Sequence, residues 1–93
     1  MKRPLVQSPA FVRGVKRFVK KNRSAADAIR GVLQQLADDA FDPRLRTHKL
    51  KGQLANCWAS SAGYDLRIVF ELVQRSGAEA ILLLSIGTHD EVY

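Results

Sequence analysis

The chain has 93 residues, of which 46% are apolar and 26% charged, and these values are typical of a single globular domain spanning residues 1–93. Its longest apolar stretch, Ala80 to Leu84, is far shorter than the ~20 residues of a membrane helix, which excludes a membrane span. The N-terminus lacks the apolar core of a signal peptide, and the single Cys57 forms no internal disulfide. These features predict a cytoplasmic protein.

The charge of the chain is positive and unevenly distributed. Fifteen Lys and Arg residues against nine Asp and Glu give a net charge of +6. Residues 1–52 carry thirteen basic and four acidic residues, a balance of +9, whereas the rest carries two basic and five acidic, a balance of −3. A basic surface attracts polyanions by counterion release and acidic proteins by Coulomb attraction. The charge therefore predicts a nucleic acid or an acidic protein as partner, although a solvated basic helix explains it equally well.

A short strand and a basic helix are predicted first. Leu5 to Gln7 has the pattern of an edge strand, and Ser8-Pro9 predicts an N-cap followed by proline at the first helical position. Apolar residues then recur at helical spacing, namely Phe11, Val12, Val15, Phe18 and Val19. The other face is basic, with Arg13, Lys16, Arg17, Lys20 and Lys21. This spacing predicts an amphipathic helix.

A second helix is predicted after a break at Asn22-Arg23. Ser24-Ala-Ala-Asp27 has the form of a capping box. The apolar residues that follow at helical spacing are Ile29, Val32, Leu33 and Leu36. Asp42-Pro43 ends the helical region, because the residue before proline avoids helical dihedral angles. The two helices are expected to form a hairpin.

The remaining chain changes to the period of strands. Alternation from Leu66 to Val73 predicts a strand with one face buried against the helices, and Asp65 and Arg67 are expected to share the opposite face. Cys57 to Ser61 predicts a preceding strand, and Ala80 to Ile86 predicts a last, central one. The predicted fold class is α+β: a short N-terminal strand, a helical hairpin, then a three-stranded antiparallel sheet, in the order β-α-α-β-β-β.

Two histidines are the residues best suited to chemistry. His48 and His89 both flank predicted strands in polar segments. Histidine titrates near neutral pH, so the pair suits RNA cleavage, in which a base deprotonates the ribose 2′-hydroxyl and an acid protonates the departing 5′-oxygen. Four basic residues can stabilise the charge on phosphorus, namely Arg46, Lys49, Lys51 and Arg67. Surface histidines without a catalytic role are the alternative.

A family resemblance covers His48 to Tyr93. The segment resembles the C-terminal half of YafQ-type toxins of the RelE/ParE superfamily in four elements. They are His-x-Leu-x-Gly at His48 to Gly52, the strand-opening Asp65, Gly87-Thr88-His89, and an aromatic four residues later at Tyr93. The resemblance implies a RelE/ParE-like fold and a type II toxin that cuts messenger RNA in the ribosomal A site. It assigns acid–base and orienting roles to His48, Asp65 and His89, and substrate contact to Tyr93.

One position departs from the family pattern. Such toxins usually carry a second catalytic histidine between the first motif and the aspartate, and Ser61 aligns with it here. A serine hydroxyl does not titrate at pH 7. The chain therefore either cleaves with His48 and His89 alone or has shifted its activity. The alternatives to an endoribonuclease are a ParE-like poison that binds DNA gyrase and a catalytically silent RNA-binding relative.

The implied partners are macromolecules. The toxin resemblance implies a cognate antitoxin, with an acidic or amphipathic segment laid across the sheet and helices, together with messenger RNA and ribosomal RNA. No Cys-x-x-Cys or His-Glu-x-x-His spacing is present, so no metal or other cofactor is expected. Trp58 can stack on a base, but packing at a strand is its commoner role. Cys57 lacks a third histidine to pair with and is not expected to act as a nucleophile.

Overall fold

Five strands form one sheet, and two helices cover one of its faces. The computed structural model describes residues 2–52, 56–62 and 65–88. The strands are β1 (Leu5–Gln7), β2 (His48–Lys49), β3 (Trp58–Ala62), β4 (Leu66–Arg75) and β5 (Ala78–Thr88). The helices are α1 (Pro9–Lys21) and α2 (Ala25–Asp38), and a short 3-10 helix covers Pro43–Leu45. Within these described stretches, neither α1 nor α2 is long and apolar enough to cross a bilayer.

The sheet confirms the predicted α+β fold and extends it at one edge. Its strand order is β1-β5-β4-β3-β2, with β1 parallel to β5 and all other pairs antiparallel. As expected, β5 has a neighbour on either side. The sequence did not predict the two-residue strand β2, in which His48 pairs with Ala59 and Lys49 with Trp58.

Helix α1 begins where the sequence predicted. The Ser8 hydroxyl oxygen accepts a hydrogen bond from the Phe11 amide at 3.1 Å, and Pro9 occupies the first helical position. Gly14 allows the helix to lie directly on β5, because a Cβ atom there would be only 2.9 Å from the Ile86 Cγ2 methyl. This contact fixes α1 against the sheet.

Helix α2 begins differently from the prediction. Ser24 has helical dihedral angles and its side chain makes no capping hydrogen bond, so the predicted capping box is wrong. Asp27 instead forms an ion pair with Arg30 at 3.0 Å, one turn further on. The short connection between the helices places Ser24 already inside a turn, where an extended N-cap conformation is not available.

The core lies between the helices and the sheet. Its buried members are Phe11, Ile29, Leu36, Ala40, Leu45, Leu66, Ile68, Phe70, Ile81, Leu83 and Ile86. The opposite face of the sheet, called the open face below, carries a second, smaller cluster formed by Cys57, Ala59 and Val69. Leu50 and Leu84 pack against that cluster. The register of β4 with β5 shifts between Val69 and Phe70, and this bulge leaves Leu84 between two paired positions.

Candidate functional site

His48 lies on the open face, at the outer edge of the sheet. Its partner across the strands is Ala59, a member of the open-face cluster, and the imidazole is exposed. The ring Nδ1 is 3.1 Å from the carbonyl oxygen of Arg46. Because a carbonyl oxygen only accepts, this contact assigns the proton to Nδ1 and makes Nε2 the acceptor nitrogen of the neutral ring.

The backbone around His48 is held by its neighbours. Arg46 adopts a left-handed conformation (φ 51°, ψ 39°) that turns the chain into β2. The Thr47 hydroxyl donates to the Ala40 carbonyl oxygen at 2.6 Å and lies 2.6 Å from the hydroxyl of the buried Ser60. A hydroxyl has one proton, so Ser60 donates to Thr47. These bonds hold β2 to both the helical layer and β3.

A polar row crosses the open face next to His48. Ser61 on β3 pairs with Arg67 on β4, which pairs with Gly87 on β5. Directly opposite side chains on neighbouring strands lie about 5 Å apart, so the Ser61 hydroxyl and the Arg67 side chain are neighbours. Gly87 is itself buried and adds no side chain to the row.

The spacing between His48 and Arg67 suits a nucleotide. The strand separation and the rise per residue place their Cα atoms roughly 12 Å apart on the same face. Long side chains from both ends of such a gap can reach one phosphodiester group. The expected cations Arg46, Lys49 and Lys51 are exposed along the same edge of the sheet. The structure therefore brings His48 and Arg67 together on one face, with the other three cations along its edge.

Asp65 does not join this face. Strand alternation predicted that it would lie with Arg67, but β4 begins only at Leu66 and Asp65 belongs to the preceding turn. It lines a cleft of about 720 Å³ between the ends of the helices and the sheet. The other lining residues are Gly14, Arg17, Phe18, Lys21, Asn22, Ser24, Ala25, Ala28, Leu66, Ile86 and Thr88. The expectation of a shared face is wrong, because alternation holds only within a strand.

The remaining expected residues, His89 and Tyr93, lie outside the described residues. Thr88, which directly precedes His89 in the sequence, pairs with Leu66 at the end of the sheet next to Asp65. In the described part of the chain, no three His, Cys, Asp or Glu side chains are grouped so that they could hold a metal ion.

Two residues beside the site, Asp42 and Cys57, have shifted pKa values. The Asp42 carboxylate accepts hydrogen bonds from the Arg44 side chain and amide, and it thereby caps the turn that leads to Arg46. The same hydrogen bonds lower the pKa of Asp42 to about 2. Burial, with a smaller contribution from the Glu71 charge, raises the pKa of the Cys57 thiol. A raised thiol pKa favours the unreactive protonated form, which agrees with a packing role for Cys57.

Sequence reasoning missed two features. One is the cleft, whose lining residues come from both helices and two strands and are united only by the tertiary structure. The other is a contact between Phe41 and Trp58 at the β2 edge, in which the ring centroids lie 5.0 Å apart. No local sequence pattern signals the second, because Phe41 and Trp58 lie in separate segments of the chain.

Comparison with known proteins identifies the family. A model of the YafQ family, bacterial toxins of type II toxin–antitoxin systems, matches residues 3–93. The chain belongs to this family. No individual curated protein gives a significant match. Membership in the YafQ family makes the chain a type II toxin and agrees with the resemblance found at His48 to Tyr93.

Solved structures of toxins share the fold. The chain is similar to YafQ from Escherichia coli strain BL21(DE3), with a TM-score of 0.79 and 14% identity over 99% of both chains. A YoeB/ParE toxin from Agrobacterium tumefaciens has a TM-score of 0.76 and 14% identity over 92% of this chain and 98% of that one. In the E. coli DinJ–YafQ toxin–antitoxin complex the values are 0.77 and 15%, over 100% and 99%. The RelE/ParE-like fold is therefore confirmed.

Proposed function

We propose that the protein is an endoribonuclease that cuts messenger RNA in the ribosomal A site, and that residues 1–93 act as one toxin domain. The observation that carries the proposal is the exposed His48 on the same face as Arg67, beside three further cations on the sheet edge. This arrangement offers a proton acceptor and positive charge to one phosphodiester group. Because messages and ribosomes are its proposed targets, the toxin acts in the cytoplasm.

His48 is the proposed general base. Its Nε2 takes the proton of a ribose 2′-hydroxyl, whose oxygen then attacks the neighbouring phosphorus. The bond from phosphorus to the 5′-oxygen breaks as His89, the proposed general acid, protonates that leaving oxygen. The products are a 2′,3′-cyclic phosphate and a free 5′-hydroxyl. The Nδ1 contact with the Arg46 carbonyl supports this assignment, because it leaves Nε2 as the basic nitrogen.

Cations stabilise the reacting phosphate. Arg67 lies within the face, and its guanidinium presents several donors to phosphate oxygens. Arg46, Lys49 and Lys51 are exposed along the β2 edge and contact the RNA on either side of the cut. Tyr93 is the proposed substrate contact.

Asp65 and Ser61 take supporting positions. Strand β3 lies between β2 and β4, and Asp65 lines the cleft on the helix side whereas His48 lies on the open face, so Asp65 cannot orient that ring directly. It lies instead next to Thr88, and we assign it the role of orienting His89. Ser61 stands beside Arg67 in the row where a further histidine would face the RNA. Its hydroxyl can donate a hydrogen bond to a phosphate oxygen but cannot replace a titrating group.

A cognate antitoxin is the proposed protein partner. E. coli YafQ forms a complex with the antitoxin DinJ, and this chain has the same fold. The cleft offers an apolar floor at Phe18, Leu66 and Ile86 with Arg17 and Lys21 among its lining residues. Such a surface suits an amphipathic segment with acidic side chains, which agrees with the partner expected from the charge.

Inducible expression in a bacterial host tests this function. Wild-type protein and a His89→Ala variant are compared for growth and, by primer extension, for new ends in messenger RNA. Growth arrest with new cuts in reading frame, both lost in the variant, is the expected result. Arrest that persists in the variant with intact messages would instead favour a gyrase poison, and the absence of any arrest would favour a silent RNA-binding relative.

A further inference from the structure

An aromatic pair lies on the helix side of the β2–β3 edge. The Phe41 and Trp58 rings are nearly perpendicular, at 83°, with their centroids 5.0 Å apart. Phe41 is 43% exposed, whereas the core side chains are buried. Trp58 is partly buried and packs against the core. An edge-to-face pair of this kind uses at most one face of each ring.

The Phe41 side of the pair lies beside Arg3. The Arg3 guanidinium lies 6.0 Å from the Phe41 ring centroid and forms an ion pair with Glu79 at 2.7 Å. The Arg3 amide also donates to the Ala37 carbonyl oxygen at 2.7 Å. Phe41 thus contacts Trp58 on one side and, near the outer limit of a cation–π contact, a residue tied to α2 and β5 on the other.

On the Trp58 side of the pair, the described residues place a lysine over the ring. The Lys49 ammonium lies 5.9 Å from the Trp58 ring centroid, near the outer limit of a cation–π contact. Lys49 is exposed, and no described acidic side chain forms an ion pair with it. Moving this side chain exposes the ring face and leaves an ammonium group beside it.

The position of the ring relates it to the candidate site. Trp58 pairs with Lys49, and the next pair along the strands is Ala59 with His48. The two side chains of β2 therefore point to opposite faces of the same edge, His48 to the open face and Lys49 over Trp58. If an RNA strand crosses this edge, one nucleotide contacts His48, the proposed general base, and a neighbouring nucleotide contacts Trp58.

We propose that Trp58, in contact with Phe41, is a stacking platform for an unpaired RNA base adjacent to the cut, with Lys49 contacting that nucleotide's phosphate. The inference rests on the proposed cleavage of RNA. Base–aromatic stacking tolerates any sequence because every base has a π-face. The Lys49 ammonium beside the ring favours a nucleotide as occupant. An apolar protein segment would bury this charge without compensation.

The single tryptophan of the chain provides the measurement. A short fluorescently labelled 2′-O-methyl oligoadenylate, which lacks the attacking hydroxyl, is titrated at low ionic strength. Its anisotropy reports binding, and the emission of Trp58 reports stacking. Inorganic polyphosphate, a polyanion without bases, serves as control through competition. Binding of the oligonucleotide is expected to quench the Trp58 emission. Polyphosphate is expected to displace the oligonucleotide and, when bound alone, to leave the Trp58 emission unquenched.

Variants separate stacking from charge. Trp58→Leu is expected to weaken oligonucleotide binding about 5- to 150-fold, and Trp58→Phe to restore most of it. Thermal melting shows whether each variant is folded. Lys49→Gln, which alters no core contact, is expected to weaken binding more than the charge-matched Lys20→Gln on α1.

Two outcomes would overturn the inference while leaving the proposed function intact. They are binding of the oligonucleotide without quenching of Trp58, and equal quenching by polyphosphate. Equal losses in Lys49→Gln and Lys20→Gln would also count against it, because they would indicate a general charge effect. No binding of the oligonucleotide even at low salt would also overturn the stacking inference, because Trp58 would then offer no platform to an unpaired base. Cleavage in the ribosomal A site is tested separately, by the growth and primer-extension experiment.

Discussion

The two faces of the sheet are built from different side chains. The face under α1 and α2 buries large residues such as Phe70 and Leu83, which are 0% exposed. The buried residues of the open-face cluster are Cys57, Ala59 and Val69, and the polar row of Ser61 and Arg67 lies beside it. Burial of large apolar side chains is the main driving force for folding. The helix-covered face thus supplies most of the stability, and the open face, which contributes less, can carry charge and histidine.

Adjacent residues of β4 test this division most strongly. Phe70→Ala removes a fully buried ring from the helix-covered face and is expected to cost about 3–5 kcal/mol of unfolding free energy. Val69→Ala removes two methyl groups from the open-face cluster and is expected to cost about 2 kcal/mol or less. Urea denaturation of both variants measures the difference. Equal losses would show that the open face contributes as much stability as the core.

Thr47, directly before β2, joins that strand to Ala40 and Ser60 on the helix-covered side of the sheet. Thr47→Val keeps the shape of the side chain but leaves the Ala40 carbonyl and the Ser60 hydroxyl without this partner, at an expected cost of about 1–3 kcal/mol. It should also lower RNA cleavage, since β2 positions His48. Ser60→Ala, which preserves the bond from Thr47 to Ala40, serves as the milder control. Cleavage unchanged in a destabilised Thr47→Val protein would show that β2 is not needed to position His48.

A glycine in each helix provides the smallest expected effect. Gly14→Ala places a methyl group 2.9 Å from Ile86 Cγ2, and the resulting displacement is expected to cost about 1 kcal/mol net of the gain in helix propensity. At Gly31 a Cβ meets nothing within 4 Å, so Gly31→Ala is expected to stabilise by about 0.5–1 kcal/mol. Thermal melting distinguishes the opposite directions. Stabilisation by both variants would show that α1 does not depend on its close contact with β5.

The sequence predicted the elements that have strong local patterns. The start of α1 followed from Ser8-Pro9, β4 from period-two alternation, and β5 from an almost wholly apolar run after a polar turn. Strand β2 was missed because two polar residues carry no strand pattern, and only the pairing with Ala59 and Trp58 makes them one. The capping box failed because the dihedral angles of Ser24 are set by the preceding turn.

The candidate site was predictable in its residue types and less so in its geometry. The exposure of His48 followed from its polar surroundings. The position of Asp65 did not follow, since it depends on the residue at which β4 begins. The contact of Phe41 with Trp58 joins distant parts of the chain, and no local pattern specifies it.

The most direct test of the central claim compares two arginines on β4. Arg67 and Arg75 fall on the same face by strand alternation, but only Arg67 lies in the row beside Ser61, whereas Arg75 ends the strand next to the turn. Cleavage of ribosome-bound messenger RNA is measured for Arg67→Gln and Arg75→Gln, each of which removes one positive charge. Arg67→Gln is expected to lose about 100-fold in cleavage rate, as when one group that stabilises a transition state is removed, and Arg75→Gln to retain nearly full activity. Similar rates for the two variants would contradict a cleavage site on this part of the open face.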